Sequence, residues 1–313
     1  VSDALSFVTR RDVSRHIALF LLLLLAACSP ATPAPEEAKL AAQPNNATYG
    51  TDANLAPSQP DAVLRYAAHP RGFAELRMPQ GAGPFPLAVI YHGGCWKTGI
   101  ASQAYMAPLA TRWQQMGIAT LNVDYREVGD GGGWPGSFAD WAASTKLIEE
   151  VAARHPVARA RVTLVGHSAG ALPALWLASR HGADGPAGAR EPLKARAAII
   201  LDGPGDVGAE RGAFDALCQF PAVDPFMGGA PQRFPERYGA ISPGTAAPRL
   251  AEVLFVQAKL PAPSAATLAM IGAGRARVRL RENPGASHFA IITPGHASHA
   301  ANEPAILAVL KGE

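Results

Sequence analysis

Charge is scarce in this chain: 17% of its 313 residues are charged, and neither sign prevails, with 28 Lys plus Arg against 25 Asp plus Glu and a formal charge of +3. No block of basic residues supplies the footprint that nucleic acid requires, so nucleic-acid binding is excluded. With 48% hydrophobic residues the chain is not a disordered one, and with only three cysteines it is not a small scaffold that depends on staples. Its length is enough to bury a sizeable core. The one conspicuous apolar run, Ile17 through Ala27, is too short to cross a hydrocarbon core of about 30 Å as a helix. What is plentiful is glycine, 31 residues, and proline, 28, which suits a loop-rich α/β protein better than a coiled coil or a bundle. No motif asks for a cofactor, and no protein partner is evident.

Arg10, Arg11 and Arg15 precede the apolar run, and Cys28 follows it. That is the order of a signal peptide. The segment Leu25-Ala26-Ala27-Cys28 resembles a bacterial lipobox. The resemblance implies removal of residues 1–27 and attachment of the chain to a lipid bilayer through acylated Cys28. Ser29 stands where an Asp would retain such a protein at the inner membrane, so the expected location is the outer membrane, facing the periplasm. Residues 28–60, rich in Pro, Ala, Asn, Thr and Ser, read as a flexible tether. Residues 61–313 then form the folded domain. The spacing of Cys95 and Cys218 neither supports nor excludes a bridge, and two buried free thiols are the favoured state.

Short apolar runs at 73–78, 87–91, 118–123, 161–165, 197–201, 252–256 and 276–281 read as strands. Helical stretches are expected at 103–116, 138–154, 169–181, 263–271 and 303–311. Strands that are apolar on both faces and separated by helices predict an α/β fold with a mostly parallel sheet covered on both sides. Functional residues of such sheets lie just beyond the carboxyl ends of strands.

Gly166-His167-Ser168-Ala169-Gly170 follows the run 161–165 and opens an apolar helix, the strand, turn and helix context of a nucleophile elbow. Tyr91-His92-Gly93-Gly94-Cys95-Trp96 follows the run 87–91, and Asp124-Tyr125-Arg126 follows 118–123. With these motifs residues 62–313 resemble the α/β-hydrolase family, in particular its esterase and prolyl-oligopeptidase-like branches. The resemblance implies Ser168 as nucleophile and an oxyanion hole of backbone amides from Gly94, with Gly93 as the other candidate of that loop, and Ala169. Independently of the label, a glycine pair lets backbone dipoles approach a developing negative oxygen, where one donor is worth about 3 kcal/mol. Asp124 and Arg126 are expected to hold loops beneath the site, and Trp96 and Trp134 to line the substrate pocket.

Nine histidines compete for the role of general base. His288 follows the last strand and the turn Asn283 to Ser287, where the fold places its catalytic histidine. His167 is expected to face away from the serine's partner, and His296 and His299 to be surface residues without a metal. The acid is missing from its usual loop, which here reads Val256-Gln257-Ala258-Lys259-Leu260. Asp206 ranks first as its replacement, then Asp202, with Glu282 and a site without an acid as further choices. The excursion 207–249, with Phe214, Phe220, Phe226, Met227, Phe234 and Tyr238, is expected either to cap the site or to pack a small core of its own. The expected activity is hydrolysis of a small carboxylic ester through an acyl-enzyme. Amide, peptide or arylformamide hydrolysis, or a non-catalytic binding role in the cell envelope, are the alternatives.

Overall fold

The computed structural model describes residues 55–179 and 193–313. The expected leader, Cys28 and nearly all of the tether lie outside the described residues, as does the end of the helix expected at 169–181. Among the described residues eight strands make one sheet: β1 (Ala62–Arg65), β2 (Phe73–Arg77), β3 (Phe85–Tyr91), β4 (Ala119–Val123), β5 (Val157–His167), β6 (Ala197–Leu201), β7 (Glu252–Gln257) and β8 (Arg277–Glu282). Their order is β1-β2-β4-β3-β5-β6-β7-β8. The first three neighbours, β1, β2 and β4, pair antiparallel; from β4 to β8 every pair is parallel. β4, β6 and β7 are buried at every position, which is why they read as unbroken apolar runs.

Helices α1 (Ala107–Gln115), α2 (Gly136–Ser144), α3 (Lys146–Arg154), α4 (Ala171–Trp176), α8 (Ala265–Gly272) and α9 (Ala297–Lys311) connect or follow the strands. The excursion between β6 and β7 folds into α5 (Arg211–Cys218), α6 (Val223–Met227) and α7 (Pro235–Gly239). The helix expected over 138–154 is two helices, divided at Thr145, whose hydroxyl turns back to the Ala142 carbonyl. α9 begins six residues earlier than expected, because Pro304 sits inside it rather than at its start. Among the described residues no helix is long and apolar enough to cross a membrane.

Two cysteine expectations are corrected. Cys95 and Cys218 are not free thiols; they form a disulfide across 123 residues of sequence. Rigid elements on both sides fix the pair, Cys218 at the end of α5 and Cys95 just past β3, so proximity comes from the fold and not from spacing. The partnership with a lipid bilayer through an acylated cysteine is corrected by the same bridge: the cysteines that the structure describes are joined to each other inside the chain and serve as no lipid anchor.

Candidate active site

Ser168 stands between β5 and α4 with φ at +55°, a left-handed conformation that costs a non-glycine residue free energy and turns its side chain out of the sheet. The glycines on either side are a steric requirement. A Cβ on Gly166 would lie 2.0 Å from the Gly170 carbonyl oxygen, and one on Gly170 would lie 2.1 Å from that of Tyr91. Ser168 faces a cavity of about 780 Å³ that is also lined by Gly94, Tyr105, His167 and His288.

His288 Nδ1 lies 2.7 Å from Asp202 Oδ2. Asp202 follows β6, and its buried carboxylate also accepts the backbone N–H groups of Ala258, Lys259 and Leu260 at 2.8 to 2.9 Å. The loop after β7, which lacks an acid, therefore presents three amides to the acid of the neighbouring strand. Burial by itself would raise the Asp202 pKa; the bond to His288, its charge and the amides outweigh burial and hold it below the usual carboxylate value. An ionised carboxylate only accepts, so His288 carries its hydrogen on Nδ1 and leaves Nε2 to take a proton.

The first-ranked acid is corrected. Asp206 is engaged elsewhere, accepting the N–H groups of Gly208 and Ala209 and the Ser242 hydroxyl. Glu282 ends β8 exposed and is not part of the cavity wall.

The loop after β3 runs through three consecutive positive φ values, Gly94 at +111°, Cys95 at +53° and Trp96 at +54°. Two anchors hold it. Cys95 is bonded to Cys218, and Trp96 is fully buried, donating its indole N–H to the Ala169 carbonyl and stacking 4.4 Å from Phe226. Trp96 is thus a root of the loop and not a pocket wall, a correction that also applies to Trp134, which packs against Phe138 away from the cavity. Gly93 is corrected as well: its N–H donates to the Tyr105 hydroxyl at 2.5 Å, leaving Gly94 as the amide of this loop that lines the cavity. Beneath it His92 stacks on Tyr125 and meets Asp124, and Arg126 grips Asp140 through two nitrogens.

His167 does not face away from the base. Its ring lies 4.5 Å from that of His288, its Nε2 is 3.1 Å from the His288 carbonyl oxygen, and its Nδ1 is 2.7 Å from the Tyr105 hydroxyl. Tyr105, just ahead of α1, carries no local sequence signal. The surface assignment of His296 and His299 is also corrected: both are 1% exposed, and burial lowers His299 to about 4. Among the described residues no cluster of His, Cys, Asp or Glu could hold a metal ion. The excursion divides its aromatics: Phe220 joins Ala216 and Leu217 in the cavity wall, whereas Phe214 and Phe226 pack on Trp96.

A family model, BD-FAE, matches residues 75–245, just over half of the chain and the part that holds the elbow, the glycine loop and Asp202. The chain belongs to the BD-FAE family. No curated protein matches it. Among solved structures, this BD-FAE member superposes on apo Thermogutta terrifontis esterase 2 with a TM-score of 0.61 at 18% identity, covering 81% of this chain and 96% of that one. A truncated carbohydrate esterase from gut microbiota gives a TM-score of 0.60 at 15% identity over 83% of this chain and 99% of that one. A bifunctional GH43-CE protein of Bacteroides eggerthii gives 0.61 at 16% identity over 79% of this chain, which spans 37% of that protein's length. At these identities the likeness is one of fold, that of the α/β hydrolases.

Proposed function

We propose that the protein is a serine esterase acting on small carboxylic esters. The observation that carries this reading is the His288–Asp202 hydrogen bond in the cavity that holds Ser168 in its elbow. His288 Nε2 takes the Ser168 hydroxyl proton as the serine oxygen attacks the ester carbonyl carbon. The carbonyl oxygen becomes an oxyanion held by the amides of Gly94 and Ala169, which are worth most where water is excluded. Collapse of this intermediate breaks the bond to the alcohol, which leaves with the proton from His288. Water, activated by the same imidazole, then hydrolyses the acyl-enzyme. Ile100, Leu217, Phe220 and Phe289 give the cavity apolar walls that suit an alkyl or aryl acyl group. Family membership supports this reading, as do structures of Thermogutta terrifontis esterase 2 with butyrate bound and after phosphonylation by sarin.

The test is hydrolysis of p-nitrophenyl acetate, butyrate and octanoate by the protein beside its Ser168→Ala variant. Turnover that vanishes in the variant is expected. Turnover that survives Ser168→Ala overturns the mechanism, and hydrolysis confined to amides overturns the substrate class. The Cys95–Cys218 bridge further supports an oxidising compartment, and the basic and apolar segment from Arg10 to Ala27 supports export to one. Thiol titration of protein isolated from its native cells is expected to find this pair blocked; two reactive thiols would overturn that location.

A further inference from the structure

The serine-esterase reading leaves Tyr105 and His167 without a task, although both line the cavity and both touch its machinery. Hydrogen-bond chemistry fixes where their protons are. The His288 carbonyl can only accept, so the His167 Nε2 facing it carries a hydrogen. A neutral imidazole then has a bare Nδ1, which accepts the Tyr105 hydroxyl proton. With that proton committed, the Tyr105 oxygen is the acceptor for the Gly93 N–H. The three bonds form one directed chain, from the Gly93 amide through Tyr105 and His167 to the His288 carbonyl. It requires His167 to stay neutral. Full burial drives its pKa well below the ordinary value and the nearby His288 ring acts in the same direction, outweighing the opposing bond to the His288 carbonyl and the smaller pull of Asp202.

The ends of this chain belong to loops that the sheet does not register against each other. Gly93 follows β3 and His288 follows β8, and β5, β6 and β7 lie between those strands. We propose that Tyr105 and His167 are positioning residues of the esterase site, a tie that sets the oxyanion loop and the base loop at a fixed separation across the nucleophile elbow. The inference rests on the serine-esterase reading. Catalysis makes such a tie valuable, since a misplacement of about 1 Å at a reacting group costs roughly a hundredfold in rate.

Three variants test it on p-nitrophenyl butyrate, with circular dichroism to establish that each is folded. Tyr105→Phe removes one oxygen and strands both the Gly93 N–H and His167 Nδ1. His167→Phe keeps a ring and loses both bonds, whereas His167→Gln keeps a donor and an acceptor. The expected result is a kcat lower by roughly tenfold to a hundredfold in both Phe variants with KM within about threefold, and partial recovery in His167→Gln. The double Phe variant should be no slower than the slower single one, because either break opens the same tie. Losses that multiply in the double variant, that fall on KM with kcat unchanged, or that stay under about threefold overturn the proposal. Nitrogen NMR of the wild-type imidazoles gives a readout that needs no catalysis. His167 is expected neutral with its hydrogen on Nε2 at pH 7 and still at pH 5.5; a hydrogen on Nδ1 overturns the tie. Absence of any Ser168-dependent turnover would instead defeat the esterase reading and leave the tie to be judged by the spectrum.

Discussion

On one face of the sheet the core is aromatic: Trp96, Tyr125, Phe138, Trp141, Trp176 and Phe226 pack ring against ring, with Phe138 and Trp141 4.8 Å apart at their centroids. On the other face the core is largely aliphatic, with Ile and Val from the strands and from α9, and buried His296 and His299 lie beside it at the start of that helix. Each face holds one half of the candidate site. The oxyanion loop is rooted through Trp96 in the aromatic face and cross-linked by Cys95. The base loop is rooted in the aliphatic face through Ala286, Ala290, Ile291 and Ile292, and reaches Asp202 by hydrogen bonding. Dispersion and a covalent bond are indifferent to pH, whereas an imidazole pair and a buried carboxylate hold only in one protonation state. The oxyanion half should therefore fail by loss of its bridge, and the base half by acid.

The largest effect is expected on the base half. In Asp202→Asn the amide NH2 must take either the Oδ1 place, facing the N–H groups of Ala258 and Leu260, or the Oδ2 place, facing the Lys259 N–H and His288 Nδ1. Facing the imidazole, it donates to Nδ1 and moves the ring hydrogen to Nε2, so kcat should fall on the order of 10³ to 10⁴. An unchanged kcat would show that the base needs no orienting acid.

On the oxyanion half, Cys95→Ser with Cys218→Ser removes a link across 123 residues. Chain-entropy arguments put the cost at about 5 kcal/mol, readable in urea unfolding and reproduced in the wild type by a dithiol reductant. The loss should be the same at pH 5 and pH 8; a pH-dependent loss would contradict the contrast between the faces.

Acid tests the aliphatic face. His299 has an ordinary value of 6.5, lowered by burial to about 4. Its folded value is depressed, so below pH 6.5 the unfolded chain takes up a proton that the folded one refuses. Stability is full above 6.5 and falls as pH drops towards 4, by about 3 kcal/mol at the end of that window. His299→Leu should flatten the slope of unfolding free energy over this range, and an unaltered slope would exclude His299 as its source.

The last test concerns a carboxylate that qualifies the contrast. Glu127, fully buried and 3.0 Å from Arg71, lies beneath the oxyanion loop. An ion pair would lower its pKa, yet burial outweighs Arg71 and nearby Asp124 and Asp130 add to the rise, so it is pushed up to about 8. The folded state then holds a proton that the unfolded chain has lost, and stability declines as pH rises from about 4.5 to 8. Glu127→Gln keeps the volume and should raise the unfolding free energy at pH 8, with no gain at pH 4. A loss at pH 8 would mean that the Arg71 pair dominates.

The sheet was legible in the sequence because strands buried on both faces leave uninterrupted apolar runs, and the elbow because its glycines are local steric requirements. The acid was not: its cradle joins Asp202 to amides more than fifty residues later, and no spacing rule records that one strand's carboxylate fills the gap left by the next. Asp206 shares with Asp202 its place after β6, but there it accepts the N–H groups of Gly208 and Ala209 and caps their turn. Trp96 and Trp134 read as pocket walls because an aromatic beside a glycine loop looks the same in sequence whether it faces ligand or core. His296 and His299 read as surface residues because their Ser, Pro and Gly neighbours suggest a loop, whereas α9 starts among them and buries both.

The bridge between Cys95 and Cys218 also changes what kind of object the chain is. Its backbone from 95 to 218 becomes a closed ring that carries Ser168 and Asp202, with His288 on an arm outside it. A single peptide-bond cut anywhere within that ring leaves one covalent molecule, so Ser168 and Asp202 stay attached to the rest after a proteolytic nick that would otherwise release a fragment.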